Sequence, residues 1–117
     1  KASRSSLFIG HGAGNNDVQL NTDSVGIGPG DLHSNDADYN VAIGKNALYD
    51  NSTGSYNTAM GTSSLFNIDD GDRNTAVGYS AGINVEGGDE NTAVGNQALS
   101  SVDLKSRYNT AVGSQAG

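Results

Sequence analysis

The pentapeptide NTAVG at residues 74–78 decides the fold, because close copies of it recur along the chain at a nearly constant interval. The clearest copies are NVAIG at 40–44, NTAMG at 57–61, and NTAVG at 74–78, 91–95 and 109–113, spaced 17, 17, 17 and 18 residues apart. Two weaker copies, SLFIG at 6–10 and SVGIG at 24–28, bring the count to seven. A fixed period of this length indicates a repeat architecture in which each copy supplies one structural unit.

Side chains alternate in size within each copy, which is the pattern of a short β-strand. The second and fourth positions are bulky and mostly β-branched: Leu7, Ile9, Val25, Ile27, Val41, Ile43, Thr58, Met60, Thr75, Val77, Thr92, Val94, Thr110 and Val112. The position between them is alanine from the third copy onward. We expect the bulky residues to stack inside a coil, with the threonines buried and hydrogen-bonded there, and the alanine face to pack against a neighbouring chain.

A second block of the form GxxAL or GxxAG follows each strand, and in four copies it ends in leucine: Leu32, Leu48, Leu65 and Leu99. We expect it to form a second short strand or bend that returns across the coil, with leucine in the core. The residues between copies are rich in turn formers and charge, so they are predicted to be outward loops. The sequence thus predicts an all-β parallel β-solenoid of about seven rungs, stacked at about 4.8 Å.

The chain is predicted to be one continuous domain with two parts. Residues 40–117 hold the regular 17-residue repeats, whereas residues 1–39 hold the irregular copies and are expected to form a cap or tip. The asparagine that leads each regular copy is expected to hydrogen-bond turn backbone. The glycine that ends each copy is expected to have an unusual backbone dihedral angle or a close backbone neighbour.

Composition narrows the classes of function. Leu, Ile, Val and Phe total 22 of 117 residues and the net charge is −7, a combination typical of disorder unless the apolar residues are in register, as they are here. The negative charge disfavours nucleic acid as a partner. The chain has no cysteine and no apolar run of membrane-spanning length, so we expect neither thiolate metal sites nor membrane insertion by this segment.

The stretch GYSAG at residues 78–82 matches the GxSxG motif that presents a nucleophilic serine in α/β-hydrolases. That motif needs a helix after it and a histidine later in the chain, but INVEGGDEN follows, and His11 and His33 both precede Ser80. Other copies carry Gly, Asn, Ser or Gln where Ser80 stands. We therefore predict a protein that is not an enzyme, with no catalytic residues and no cofactor.

The NTAVG blocks followed by GxxAL or GxxAG resemble the head repeats of trimeric autotransporter adhesins, and are similar to repeats of some phage tail fibres and bacterial surface fibres. The resemblance covers nearly the whole chain and is strongest from Asn40 to Gly117. It implies a left-handed parallel β-roll from each of three chains, packed as an intertwined or tightly packed homotrimer. It also implies an extracellular location, on a cell-surface fibre anchored in the outer membrane or on a virion tail fibre.

The function expected from these features is adhesion to a glycan or protein receptor on another cell by multivalent display of loops. The residue before each lead asparagine supplies the candidate ligand contacts, Tyr39, Tyr56, Arg73 and Tyr108, which could instead pack against adjacent loops. One alternative is a virion tail-fibre segment that binds a host receptor. Another is a monomeric solenoid that binds ice through its threonine column, or calcium through DDGDRN at 69–74. We expect no metal site at His11 and His33.

Overall fold

A computed structural model describes residues 6–14, 23–101 and 105–117, and these residues form a parallel β-solenoid of about five turns. No helix occurs in the described residues. The strands are β1 (Leu7–Ile9), β2 (Val25–Ile27), β3 (Ser34–Asn35), β4 (Val41–Ile43), β5 (Asp50–Asn51), β6 (Thr58–Met60), β7 (Thr75–Val77), β8 (Thr92–Val94) and β9 (Thr110–Val112). The predicted all-β solenoid is confirmed.

Each copy of the pentapeptide supplies one strand of a seven-stranded parallel sheet. The strand order is β1-β2-β4-β6-β7-β8-β9, and equivalent residues of successive copies pair directly, as Ala59 pairs with Ala76. A second, smaller parallel sheet pairs β3 with β5, and Asp50 continues the ladder by a bridge to Asn67. Because the register follows the repeat, each column of the sequence becomes a column of side chains along the solenoid.

The interior of the coil is filled by the alanine column, which corrects the predicted orientation of the strands. Ala42, Ala59 and Ala76 are fully buried, together with the leucines Leu48 and Leu65 of the returning block. The bulky second and fourth positions point outward instead, and Met60 is 40% exposed. The leucines already occupy the space between the two sides of the coil, so only a methyl group can face them from the strand.

In the first two copies, the large side chain of Phe8 occupies space that several smaller side chains fill in the regular copies. Phe8 stands in the alanine column, and a Cβ added to Gly14 or to Gly26 would lie about 3 Å from its ring. Gly14 occupies the position that holds leucine in four copies, and Gly26 occupies the position that holds alanine in the regular copies. The phenylalanine thus fills volume that leucine and alanine fill elsewhere, so the core is continuous through the irregular part.

Buried asparagines connect successive turns, which confirms the predicted role of the lead asparagine. The Asn57 backbone N–H donates to Asn40 Oδ1 at 2.9 Å, and the Asn57 side-chain amide donates to the Gly71 carbonyl at 2.7 Å. The same pattern recurs at Asn74 and Asn91. In the irregular part a hydroxyl takes over the role, since Ser24 Oγ accepts the N–H of Asn40.

Four positions in the regular turns have positive φ. The glycine that ends each strand is one of them: Gly61 has φ +128°, and a Cβ there would lie 2.5 Å from the Gly78 carbonyl oxygen. The second position lies two residues later. The third is the end of the returning block, such as Leu48 at φ 49°, and the fourth is the residue before the lead asparagine, such as Tyr56 at φ 61°. The predicted special geometry of the strand-ending glycines is confirmed.

Candidate functional site

The most distinctive surface of the protein is the outward side of the seven-stranded sheet, which we call the outer sheet face. It consists of the second and fourth residues of each pentapeptide, which are the first and last residues of β1, β2, β4, β6, β7, β8 and β9. Its most exposed members are Val112 at 70% and Ile9 at 54%, while Val41 and Val94 are half-buried. Two adjacent columns of aliphatic and threonine side chains therefore face away from the core along the whole described sheet.

The threonine column lies on this outer sheet face, so the prediction that it is buried is wrong. Thr75 and Thr110 are exposed, and Thr58 and Thr92 are half-buried. They pair in register from β6 to β9 beside Met60 and the valines of the fourth position. The threonines point outward because successive side chains of a strand point to opposite faces, and the neighbouring alanine points inward.

The four predicted ligand contacts, Tyr39, Tyr56, Arg73 and Tyr108, lie in one column beside the outer sheet face. Glu90 occupies the same position in its copy, and we call these five residues the rim column. The structure brings the first two together, because the rings of Tyr39 and Tyr56 stack with centroids 4.9 Å apart and planes 14° apart. Arg73 Nη2 lies 3.1 Å from Glu90 Oε1, and this hydrogen bond raises the pKa of Arg73. Tyr108 is 71% exposed.

A second aromatic stack, not anticipated from the sequence, lies on another side of the coil. The rings of His33 and Tyr49 stack at 4.5 Å, and those of Tyr49 and Phe66 at 5.0 Å with planes 1° apart. These residues each follow the leucine of the returning block, so their spacing of 16 and 17 residues was the available signal. His33 is therefore part of an aromatic column.

Beside this stack is a cleft that the sequence pattern did not predict. It has a volume of about 340 Å³ and is lined by Asp50, Ser52, Asn67, Asp69 and Glu86. In the sequence, the residues that line the cleft are polar residues that flank the buried Asn51, Ile68 and Val85. Among the described residues no group of three or more His, Cys, Asp or Glu side chains is arranged to hold a metal ion.

The polar groups of the DDGDRN segment form hydrogen bonds with neighbouring loops of the protein. Asp72 Oδ1 accepts the backbone N–H of Ser55 at 2.7 Å, and the Asp69 carbonyl accepts those of Thr53 and Gly54. The Asp72 backbone N–H in turn donates to Asp89 Oδ1. These contacts join successive loops, as expected for turns made of aspartate and glycine.

Ser80 is 6% exposed and has φ 51°. A strained serine is a feature of nucleophile turns, but here the whole column shares the conformation. Its members all have φ between 51° and 76°: Gly12, Gly30, Asn46, Ser63, Ser80, Gln97 and Gln115. The positive φ of Ser80 therefore belongs to the turn that follows every strand, and small or amide residues recur there because they tolerate it.

None of the known protein families, curated proteins or solved structures compared with this chain matches it. The fold alone therefore defines the class to which the protein belongs, the parallel β-solenoid repeat proteins. No helix in the described part of the chain has the length and apolarity to cross a bilayer.

Proposed function

We propose that the protein is a non-enzymatic, homotrimeric fibre segment, from the head or tip region of an extracellular surface fibre, that mediates adhesion. Each chain would form a left-handed β-roll of about seven rungs, as the resemblance to adhesin heads implies. The observation that supports the proposal is the exposed aliphatic outer sheet face. An apolar strip of this extent is unusual on a monomer and is typical of a protein interface.

The small alanine face predicted an interface between chains, but the alanines are buried inside the coil and cannot contact another chain. We assign it instead to the outer sheet face, where Ile43, Met60 and Val77 are each more than a third exposed. Three copies related by a cyclic axis would bury the same strip on each chain. Because the strip runs along the solenoid, such packing places the three columns side by side and presents every loop in three copies.

The rim column borders this interface, so its residues would lie near the junction between chains. Tyrosine and arginine there offer flat apolar faces with polar edges, which suit a glycan or a protein receptor on another cell. Threefold display turns weak individual contacts into useful avidity. The net charge of −7 argues against nucleic acid as the partner.

Light scattering on a sizing column tests the proposal. We expect a mass near 3 × 11.9 = 35.7 kDa for the wild type. Val77→Asp places a charge in the interface and is expected to yield a folded monomer, whereas Ser52→Asp, on the cleft side, is the matched control and leaves the trimer intact. A folded wild-type monomer of 11.9 kDa would contradict the proposal.

Two alternatives keep the same fold. A virion tail-fibre segment that binds a host receptor would have the same trimer and the same rim column. A monomeric ice-binding solenoid is favoured by one observation, namely that the threonines of β6 to β9 point outward in a regular parallel array. Thermal hysteresis from a monomer that Thr75→Lys abolishes would support ice binding. Calcium titration followed by thermal unfolding tests the remaining alternative, a calcium-binding solenoid.

A further inference from the structure

Asp31 is a fully buried carboxylate in a position that the later repeats give to small, uncharged residues. Its equivalents in the GxxAL blocks are Ala47, Ser64, Ala81, Ala98 and Ala116. Asp31 Oδ1 accepts the backbone N–H of Ala47 at 2.9 Å, and Oδ2 accepts that of Gly44 at 3.1 Å. The side chain therefore joins the second turn of the solenoid to the third at the start of the regular repeats.

Within residues 6–14, 23–101 and 105–117, Asp31 has backbone N–H donors but no cationic side chain paired with it. The turn above contributes His11 and the turn below contributes Lys45, both exposed, while His33 stacks on Tyr49. Burial raises the pKa of Asp31 to about 6, even though the hydrogen bonds from Ala47 and Gly44 oppose the shift. An ionised Asp31 is thus less favourable in the folded protein than in the open chain.

We propose that Asp31 makes attachment of the N-terminal turns, residues 6–14 and 23–30, to the repeats that follow sensitive to pH, so that they open more readily near neutrality than in acid. The folded form holds a proton on Asp31 over a pH range in which the open form has lost it. Stability from this group is therefore complete below pH 4 and falls as the pH rises to about 6. The device acts within one chain and is independent of the oligomeric state.

Amide hydrogen exchange on the intact protein tests the proposal, with protection factors corrected for intrinsic exchange. The Val25 N–H, which donates to the Asn40 carbonyl across the junction that Asp31 joins, reports on attachment of the N-terminal turns, and the Gly95 N–H, which donates to the Val77 carbonyl, is the reference. Between pH 4 and pH 8 we expect protection at Val25 relative to Gly95 to fall about 100-fold, since the two pKa values, 3.8 and about 6, differ by roughly two units.

Asp31→Asn keeps the shape of the side chain without the ionisation, and Asp31→Ala restores the residue usual in this column. Both variants are expected to lose the pH dependence at Val25 and to keep the wild-type behaviour at Gly95. Protection at Val25 that is independent of pH in the wild type would overturn the proposal. So would an unchanged pH dependence in either variant, or an Asp31 carboxyl that titrates near pH 4 by carbon NMR.

Discussion

Asn57 Oδ1 accepts two hydrogen bonds from Asn74, one from its backbone N–H at 2.8 Å and one from its side-chain amide at 3.2 Å. Asn74 Oδ1 then accepts the equivalent pair from Asn91. Each of the three asparagines is buried, and each also donates to a backbone carbonyl of a loop. One residue type in one column thus satisfies polar backbone groups that close packing of the turns removes from water.

Replacement of Asn74 by alanine is expected to destabilise the protein by about 3 kcal/mol, because a buried N–H of Asn91 and the buried Gly88 carbonyl lose their partners. Asn109→Ala is the control, since Asn109 is half-buried and its amide donates only to Asn91. It should cost about 1 kcal/mol. Denaturant unfolding of both variants measures the loss in the free energy of unfolding. Equal losses in the two variants would show that the burial of Asn74 adds little to the stability that its hydrogen bonds provide.

The orientation of the strands is tested by Ala76→Val, which adds two methyl groups to a fully buried position. We expect a loss of about 1–3 kcal/mol in the free energy of unfolding, because Leu65 of the preceding copy already fills the core beside Ala76 and Gly82. Thr75→Val, one residue away on the outer sheet face, should change stability by less than about 0.5 kcal/mol. A larger loss for Thr75→Val than for Ala76→Val would indicate that the bulky column, and not the alanine column, faces the interior.

The left-handed turn after each strand predicts a stabilising substitution at Ser63, which has φ 58°. Asparagine adopts this conformation more readily than serine, so Ser63→Asn should stabilise the protein by up to about 1 kcal/mol. Ser63→Val should destabilise it by about 1–2 kcal/mol. Thr62→Asn is the matched control at a neighbouring position without positive φ, and a similar gain there would contradict the backbone explanation.

The role of the rim column is tested by Tyr108→Ala and Tyr39→Ala in a cell-binding assay. Each change removes an exposed aromatic side chain, and we expect binding to fall about tenfold or more, since each loss is repeated in every chain. Tyr79→Ala is the control, because Tyr79 is 54% exposed but follows the end of β7, whereas the rim column precedes the strands. Equal loss in all three variants, or none in any, would exclude the rim column as the specific contact.

Much of the fold followed from the repeat, and the candidate site followed only in part. The period predicted a parallel stack in register, and the asparagine and glycine columns have the predicted roles. Tyr39 and Tyr56 were predicted as neighbours in a column, but their stacking depends on ring orientation, which sequence does not encode. The cleft at Asp50 and the burial of Asp31 depend on how loops from successive turns meet.

The sequence by itself determined the period, the register and the alternation, because these depend only on backbone geometry and on which columns repeat. Only the tertiary structure decided which face of the strand is inside. Both faces are apolar, so hydrophobicity cannot choose between them, and the usual preference for burying the larger residues gives the wrong answer. The choice depends on the leucines, because Leu48 and Leu65 fill the interior of the coil and pack against the small alanines of the strands.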